Sequence, residues 1–397
     1  MKTDLITKKK KGFTINDFYM PQTTEFSLKK ILNILRKTKK DYYYAYDKDI
    51  GFVFYTPLDK DNYIAAFENI PVDNINMQGL LDKDAIEKFY QSIDSKTKIN
   101  IEEGLHKLYF QDFNTNKTIL EVDKTKIDKD ITINFNSLAK TKRSIAESLD
   151  ALRYLNNSRD TKFSLSQNIY IEVAKDLFYF YAFDPYQYLL WYLNYMPNNS
   201  LGEVTYIIDE DKINFLTKAF TKNKSSEMEI MILDDKEHIA FCSDGVYFNY
   251  KIERIDTKLR DLISPIEFLD FKETNKDLDF KATLMTNLVK DYLSDIKGIA
   301  NNLETDFIDI YRQNNEEVAF KFKDDDNTYK RFKVKDLEGD YFNVLGKYLK
   351  DFLSKAPAKD FTIKVKEPLV MLSSANRLFN ISKTKDVKNN EDNQEQN

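Results

Sequence analysis

A single cysteine, Cys242, stands among 397 residues, so no disulfide framework can form within the chain and a thiolate zinc site lacks ligands. That usage points to a reducing compartment. Histidine is nearly as scarce: His106 and His238 alone leave a histidine metal centre or a Ser-His triad few candidates. Both read as structural, His238 within an expected strand beside the Asp234-Asp235 turn. No glycine-rich phosphate loop is present. At Gly346-Lys347, Tyr341 stands where the upstream glycine belongs and Tyr348 where the Ser or Thr belongs. No apolar run approaches the ~20 residues that cross a bilayer, and the lysines at 8–11 lead into no apolar signal segment. A net charge of −5 excludes a chain that is basic throughout, but not one that sorts its cations onto one surface. Carboxylates are plentiful, yet no spacing singles any out for a metal-dependent nuclease. Residues 324–327, Asp-Asp-Asp-Asn, resemble half a calcium loop without its Gly and Glu, and a solvated turn explains them. The reading is a cytoplasmic, non-enzymatic protein with no metal, no cofactor and no membrane partner.

What is present is a recurring unit. At ~100–200 residues per domain the length allows two to four domains, and the 42% hydrophobic and 14% aromatic content supplies their cores. Residues 130–155 show the unit most clearly: a short alternating strand, a Ser137 cap, then a helix with one apolar and one basic side. At ~100° per residue Leu138, Ile145, Leu149, Leu152 and Leu155 share one side, while Lys140 and Arg143 project from the other. Five further helices are expected over 26–40, 84–93, 212–222, 284–300 and 346–356, each among short alternating strands. Their starts recur at roughly 54–74 residues, which amounts to a structural repeat of six strand–helix–strands units in an α+β chain. A polar tail over 384–397 is too charged and too poor in apolar residues to fold.

Charge follows the same units. Windows drawn around the six helices hold 23 Lys and Arg against 10 Asp and Glu, so they are net +13 while the remainder is net −18. Sorted positive helices suit phosphate binding, and an acidic remainder repels nucleic acid elsewhere. Six helices side by side at ~9 Å would close a circle about 17 Å across with roughly 7 Å free, too narrow for a duplex. Twelve give about 34 Å and roughly 24 Å free, which admits a duplex about 20 Å wide, so a ring on duplex DNA takes two copies of this chain. The Tyr-rich strands could instead stack bases, but sheet packing accounts for them.

Local motifs agree with that architecture. The stretch Ala182-Phe183-Asp184-Pro185-Tyr186-Gln187-Tyr188-Leu189 is similar to the Ala-Thr-Asp-Gly-His-Arg-Leu-like segment of the DNA sliding clamps represented by the bacterial DNA polymerase III beta subunit, with Pro for Gly and Gln for Arg. Leu262-Ile263-Ser264-Pro265 resembles that family's Leu-Ile-Pro entry into its third domain, without the preceding Pro-Asp-Tyr. Pro368-Leu369-Val370-Met371 with Arg377-Leu378 resembles its C-terminal Pro-Val…Met-Pro-Met-Arg-Leu, and residues 343–352 resemble its Asn-x-x-Tyr-Leu-x-Asp helix opening.

The resemblance, to that subunit or a phage version of it, implies three clamp-type domains, each of two half-repeats, forming a ring with inner helices and outer sheets. The expected bounds are 1–128 with a mobile basic N-terminus, 129–258 and 259–383. It implies a homodimer that encircles double-stranded DNA, tethers the replicative DNA polymerase and is opened by an ATP-dependent clamp loader. The expected DNA contacts are Lys30, Arg36, Lys37, Lys140, Arg143, Lys218, Lys222, Lys347 and Lys350. The family's partner-peptide groove, between its second and third domains, maps by position onto Tyr186, Tyr188, Leu262, Pro265, Val370, Met371, Arg377 and Leu378. The alternative is a replication or recombination accessory protein that binds nucleic acid without forming a clamp.

Overall fold

The computed structural model describes residues 13–16, 28–47, 51–68, 78–124, 131–174, 177–194, 196–197, 204–222, 226–263, 278–296, 306–322, 328–375 and 377–383. Pro265, the 324–327 turn, the lysine-rich start and the polar tail lie outside them. Seven α-helices are described: α1 (Leu28–Thr38), α2 (Lys83–Ser92), α3 (Ile145–Asn157), α4 (Glu210–Ala219), α5 (Thr257–Ile263), α6 (Thr286–Ile296) and α7 (Gly346–Lys355). None is long and apolar enough to cross a membrane. Six match the expected helices and α5 is additional.

One expected boundary is corrected. Residues 137–144 do not open a helix; they form the strand Ser137–Ser144, paired antiparallel with Glu227–Leu233. The reason is a period of two, since Ala139 and Thr141 are buried while Lys140 and Lys142 are only partly so. The helix begins at Ile145, where the Ser144 hydroxyl accepts from Glu147 N at 3.3 Å, so Ser144 rather than Ser137 acts as the cap. The spacing Ser144-x-x-Glu147 is a capping-box signature placed seven residues after the expected start. Helix α3 is followed by a 3-10 turn, Ser164–Gln167, where the run Phe163-Ser164-Leu165 alternates as a strand would.

The fold divides into two compact units. Unit 1 comprises 1–149, 195–202 and 211–253; unit 2 comprises 150–194, 203–210 and 254–397. Residues 129–258 therefore contribute to both. Unit 1 is built on a nine-stranded antiparallel sheet in the order Met196–Pro197, Ser137–Ser144, Glu227–Leu233, His238–Ser243, Val246–Lys251, Tyr63–Glu68, Gly51–Pro57, Tyr42–Asp47, Gln78–Leu81. Its central seam pairs Val246 with Ala66 and Phe248 with Ile64, joining strands nearly two hundred residues apart. At its edge Gly79 faces Tyr44, and a Cβ on Gly79 would come within 2.7 Å of the Tyr44 ring, so only glycine fits.

Unit 2 repeats the plan. Its ten-stranded sheet runs Glu253–Arg254, Val204–Asp209, Asn168–Ala174, Leu177–Asp184, Gln187–Asn194, Leu378–Lys383, Leu369–Ser374, Asp360–Lys366, Phe280–Met285, Lys335–Gly339. Here the seam pairs Gln187 with Ser382 and Trp191 with Leu378. Each unit also carries a smaller sheet: Ile99–Glu103, Lys107–Asp112 and Thr118–Asp123 in unit 1, and a four-stranded one from Phe307–Arg312 to Tyr341–Leu345 in unit 2.

Candidate nucleic-acid interface

In unit 1, α1 lies against α2 on one side and α4 on the other, and its cations make both contacts. Its apolar residues Ile31, Leu32 and Leu35 are fully buried. Lys29 donates to the Tyr90 carbonyl and, at 2.6 Å, to the Ile93 carbonyl, with its ammonium 3.7 Å from the centre of the Tyr90 ring. Arg36, one heptad on, stacks 4.0 Å from the same ring and pairs with Glu87 at 3.3 Å. On the other side Lys37 donates to the Ala219 carbonyl at 3.3 Å and to Thr221 Oγ1 at 2.5 Å. Asn33 donates to the same hydroxyl at 3.3 Å. Lys29 and Lys37 thus sit at the C-terminal ends of neighbouring helices, where carbonyls lack partners and the dipole is negative. Lys30 is half exposed and lies 3.9 Å from Asp244.

Lys140 and Arg143, expected on a helix, lie on the strand Ser137–Ser144 instead. Lys140 pairs with Glu229 at 3.0 Å, and Arg143 Nη1 donates to the Lys142 carbonyl at 2.9 Å. Lys218 is exposed on α4, Lys222 is exposed just beyond its end, Lys347 is partly buried on α7 and Lys350 is exposed there. No carboxylate pairs with Lys218, Lys347 or Lys350 among the described residues. The charge excess of the wider windows resolves unevenly. Helix α1 carries Lys29, Lys30, Arg36 and Lys37 with no acid, and α7 carries Lys347, Lys350 and Lys355 against Asp351. In α2, α3, α4 and α6 the acids equal or outnumber the bases, so most of the excess sits in flanking segments.

In unit 2, α3 and α7 meet through Tyr154 and Phe352, whose ring centres are 6.2 Å apart. Lys355 of α7 lies 3.9 Å from Asp150 of α3. Burial pulls the Lys290 ammonium of α6 below its ordinary range, with Asp150 opposing that shift and Lys355 adding to it. Among the described helices, the order α2–α1–α4 in unit 1 and α3–α7–α6 in unit 2 is held by contacts of this kind.

The clamp-like Ala182–Leu189 segment is a hairpin between Leu177–Asp184 and Gln187–Asn194. Asp184 makes the turn: its carboxylate accepts from Tyr186 N at 2.9 Å, Gln187 N at 3.1 Å and Asp160 N at 3.0 Å. Pro185 sits at the second turn position, which its fixed φ suits. Gln187 is buried, donates to the Ser158 carbonyl at 2.7 Å and accepts from Asn380 at 2.8 Å; Asn380 also donates to Tyr154 Oη at 3.1 Å. A buried network therefore fastens the hairpin to the final strand and to α3.

Of the expected groove residues, the structure gathers some and parts others. Tyr188 and Met371 both pair with Ile381, on either side of it, and all three belong to one apolar cluster with Tyr181, Phe379 and Ile263. Tyr186 at the hairpin tip is 61% exposed, and Leu262 on α5, the residue before Ile263, is 79% exposed. Val370 and Leu378 are buried at the alternate strand positions, on the opposite face from Met371. Arg377 is partly buried, and its carbonyl accepts from Tyr192 N at 2.8 Å. Phe379 and Ile381 were not among the expected residues; the alternation Leu378-Phe379-Asn380-Ile381 is the signal that marks them. His238 has both ring nitrogens engaged, by Asp235 at 2.8 Å and the Asp61 carbonyl at 3.2 Å.

No protein-family model matches this sequence, and no curated protein is similar to it in sequence. Solved structures are similar in fold. A DNA polymerase III subunit beta from Pseudomonas aeruginosa superposes with a TM-score of 0.61 at 11% identity, covering 90% of this chain and 97% of that one. The beta subunit from Thermotoga maritima gives 0.59 at 10% identity over the same shares, and the Helicobacter pylori beta clamp bound to a DNA ligase peptide gives 0.58 at 10%. The chain has the mixed helix-and-sheet fold of these beta clamps along nearly its whole length.

Proposed function

We propose that this chain is a DNA sliding clamp that encircles duplex DNA and tethers a DNA polymerase. The observation that carries the reading is the end-to-end fold match, 90% of this chain on 97% of a beta subunit, in which two large sheets are each accompanied by three of the six expected helices, with α5 additional in unit 2. Three clamp domains, 1–128, 129–258 and 259–383, would each give two helices, and two copies would supply the twelve that a duplex requires. Phosphate contacts alone give dissociation constants of roughly 10⁻⁴–10⁻⁶ M, too weak to hold a polymerase. A closed ring supplies retention by topology, so weak contacts permit sliding. Lys218, Lys347 and Lys350 are the best contacts, being free of carboxylate partners among the described residues, and Lys30 and Lys222 are further candidates. Opening such a ring calls for an ATP-dependent loader, since the chain has no phosphate loop of its own.

The relative that binds a DNA ligase peptide supports a matching role for the cluster around Tyr188, Met371 and Ile263 as a docking groove for short apolar peptides of replication partners. The deciding measurement is retention on DNA after loading. A clamp stays on a nicked circle and runs off once the circle is cut; equal retention on circle and linear DNA would exclude a topological link. A mass near twice 46.9 kDa in solution is the companion result. Tight, salt-sensitive binding to single-stranded oligonucleotides would favour a non-clamp accessory protein instead.

A further inference from the structure

The segment Phe13–Asn16 pairs in parallel with Ile131–Asn134, and these two strands form a sheet of their own. The register sets Phe13 opposite Ile131, Thr14 opposite Thr132, Ile15 opposite Ile133 and Asn16 opposite Asn134. The tripeptide Thr-Ile-Asn is thus matched to a second copy of itself, residue for residue. In-register parallel pairing of like residues is the pattern by which extended segments add to one another across separate chains.

The two strands are anchored very differently. Ile131, Ile133 and Phe135 are buried in a cluster with Val53, Met231 and Tyr247. Asn134 is held by its side chain, which donates to Asp234 at 2.8 Å, and by its carbonyl, which accepts from Tyr247 Oη at 2.7 Å. The strand Ile131–Asn134 is therefore fixed to unit 1 by contacts that owe nothing to residues 13–16. Its partner is four residues long, and a lone two-stranded pairing is marginal, more so when parallel.

We propose that Ile131–Asn134 is a preformed strand-acceptor site, occupied in cis by Phe13–Asn16, that takes an extended Thr-Ile-Asn-type segment of a partner protein when the N-terminal strand leaves. The cis strand acts as a tethered competitor, lowering the apparent affinity for any incoming segment by the fraction of time the site is open. This site is separate from the apolar cluster of unit 2 and does not depend on the chain encircling DNA.

The probe is a fluorescent peptide of residues 11–18, followed by anisotropy with the full-length chain and with a Thr14→Pro/Ile15→Pro variant. Proline removes the backbone donors of the cis strand and leaves the acceptor untouched. The variant is expected to bind the peptide saturably and at least ten-fold more tightly than the wild type, and a peptide carrying the same two prolines is expected not to bind. Hydrogen exchange at 131–134 should speed up in the variant and slow again with peptide. A chain lacking residues 1–16 gives a second route to the same reading. Failure of both folded variants to bind the peptide, or equal binding by the wild type, overturns the proposal.

Discussion

Arg260 of α5 donates from Nε and Nη2, at 3.1 and 2.8 Å, to one oxygen of Glu172, whose side chain is fully buried in the large sheet of unit 2. The carboxylate lies among tyrosines, and together with burial it pushes the Tyr181 phenol above its ordinary range. Removing one partner of such a pair leaves a buried charge without its counter-ion, which costs about 3–5 kcal/mol. Arg260→Ala is therefore expected to destabilise the protein by that order in denaturant titrations, while Arg260→Met with Glu172→Gln loses much less. Hydrogen exchange over Thr257–Ile263 should accelerate in the single variant, because the pair fastens α5 to the cluster that holds Tyr188 and Met371. A single variant as stable as the wild type would show that the pair does not hold α5.

Glu68 ends the strand Tyr63–Glu68 opposite Phe52, and its Oε2 meets no hydrogen-bond donor among the described residues. Burial pushes its carboxyl up to about 8 from an ordinary 4.5. The folded chain therefore keeps a proton that the unfolded chain gives up. The sign follows: stability is full below about pH 4.5 and declines as pH rises to about 8, by at most about 1.4 kcal/mol per pH unit. Glu68→Gln is expected to flatten this slope and raise the melting temperature at pH 8. Parallel pH curves for the two proteins would remove Glu68 as its source.

Cys242 is buried in the unit 1 cluster, and burial pushes its thiol up to about 12. At pH 8 the thiolate is scarce and shielded. A disulfide reagent should label the native protein only as fast as it opens, and one equivalent should react at once in denaturant. Stoichiometric labelling of the native protein within minutes would contradict this burial.

Most of the helices, and the central strands of both sheets, were legible because their apolar residues repeat at 3.6 or at 2. The failure at 138 has a physical cause. In Leu138-Ala139-Lys140-Thr141-Lys142 the apolar spacing fits either period, and cross-strand pairing with Glu227–Leu233 decides for the strand. The seams Val246–Ala66 and Trp191–Leu378 were not legible, since pairing between remote strands leaves no local mark. Charge was read by composition, which cannot distinguish a cation facing a ligand from one finishing a neighbouring helix. Lys29 and Lys37 are of the second kind. The hairpin at Asp184 was legible as a motif, but the role of Gln187 as its buried anchor required Asn380, 193 residues away.

That distinction yields a sharper test of the proposed DNA contacts than reversal of any lysine. Lys218, Lys347 and Lys350 pair with no carboxylate among the described residues, so Lys218→Glu with Lys347→Glu and Lys350→Glu should change stability by no more than about 0.5 kcal/mol per site. Their loss should show instead in duplex binding, with the slope of log affinity against log salt falling by about 0.9 for each phosphate contact removed. Lys37→Glu should behave in the opposite way: it places a negative charge at the C-terminal end of α4, where Ala219 and Thr221 now receive an ammonium, and costs about 1 kcal/mol or more of stability. Lys140 and Arg143 lie between the two cases, because Lys140 already pairs with Glu229 and reversing it sets two carboxylates against each other. Melting curves and salt titrations on these variants and the wild type separate the roles. If the triple reversal leaves the salt slope unchanged, duplex DNA is held by other cations, and Lys218 of α4 and Lys347 and Lys350 of α7 have no part in binding it.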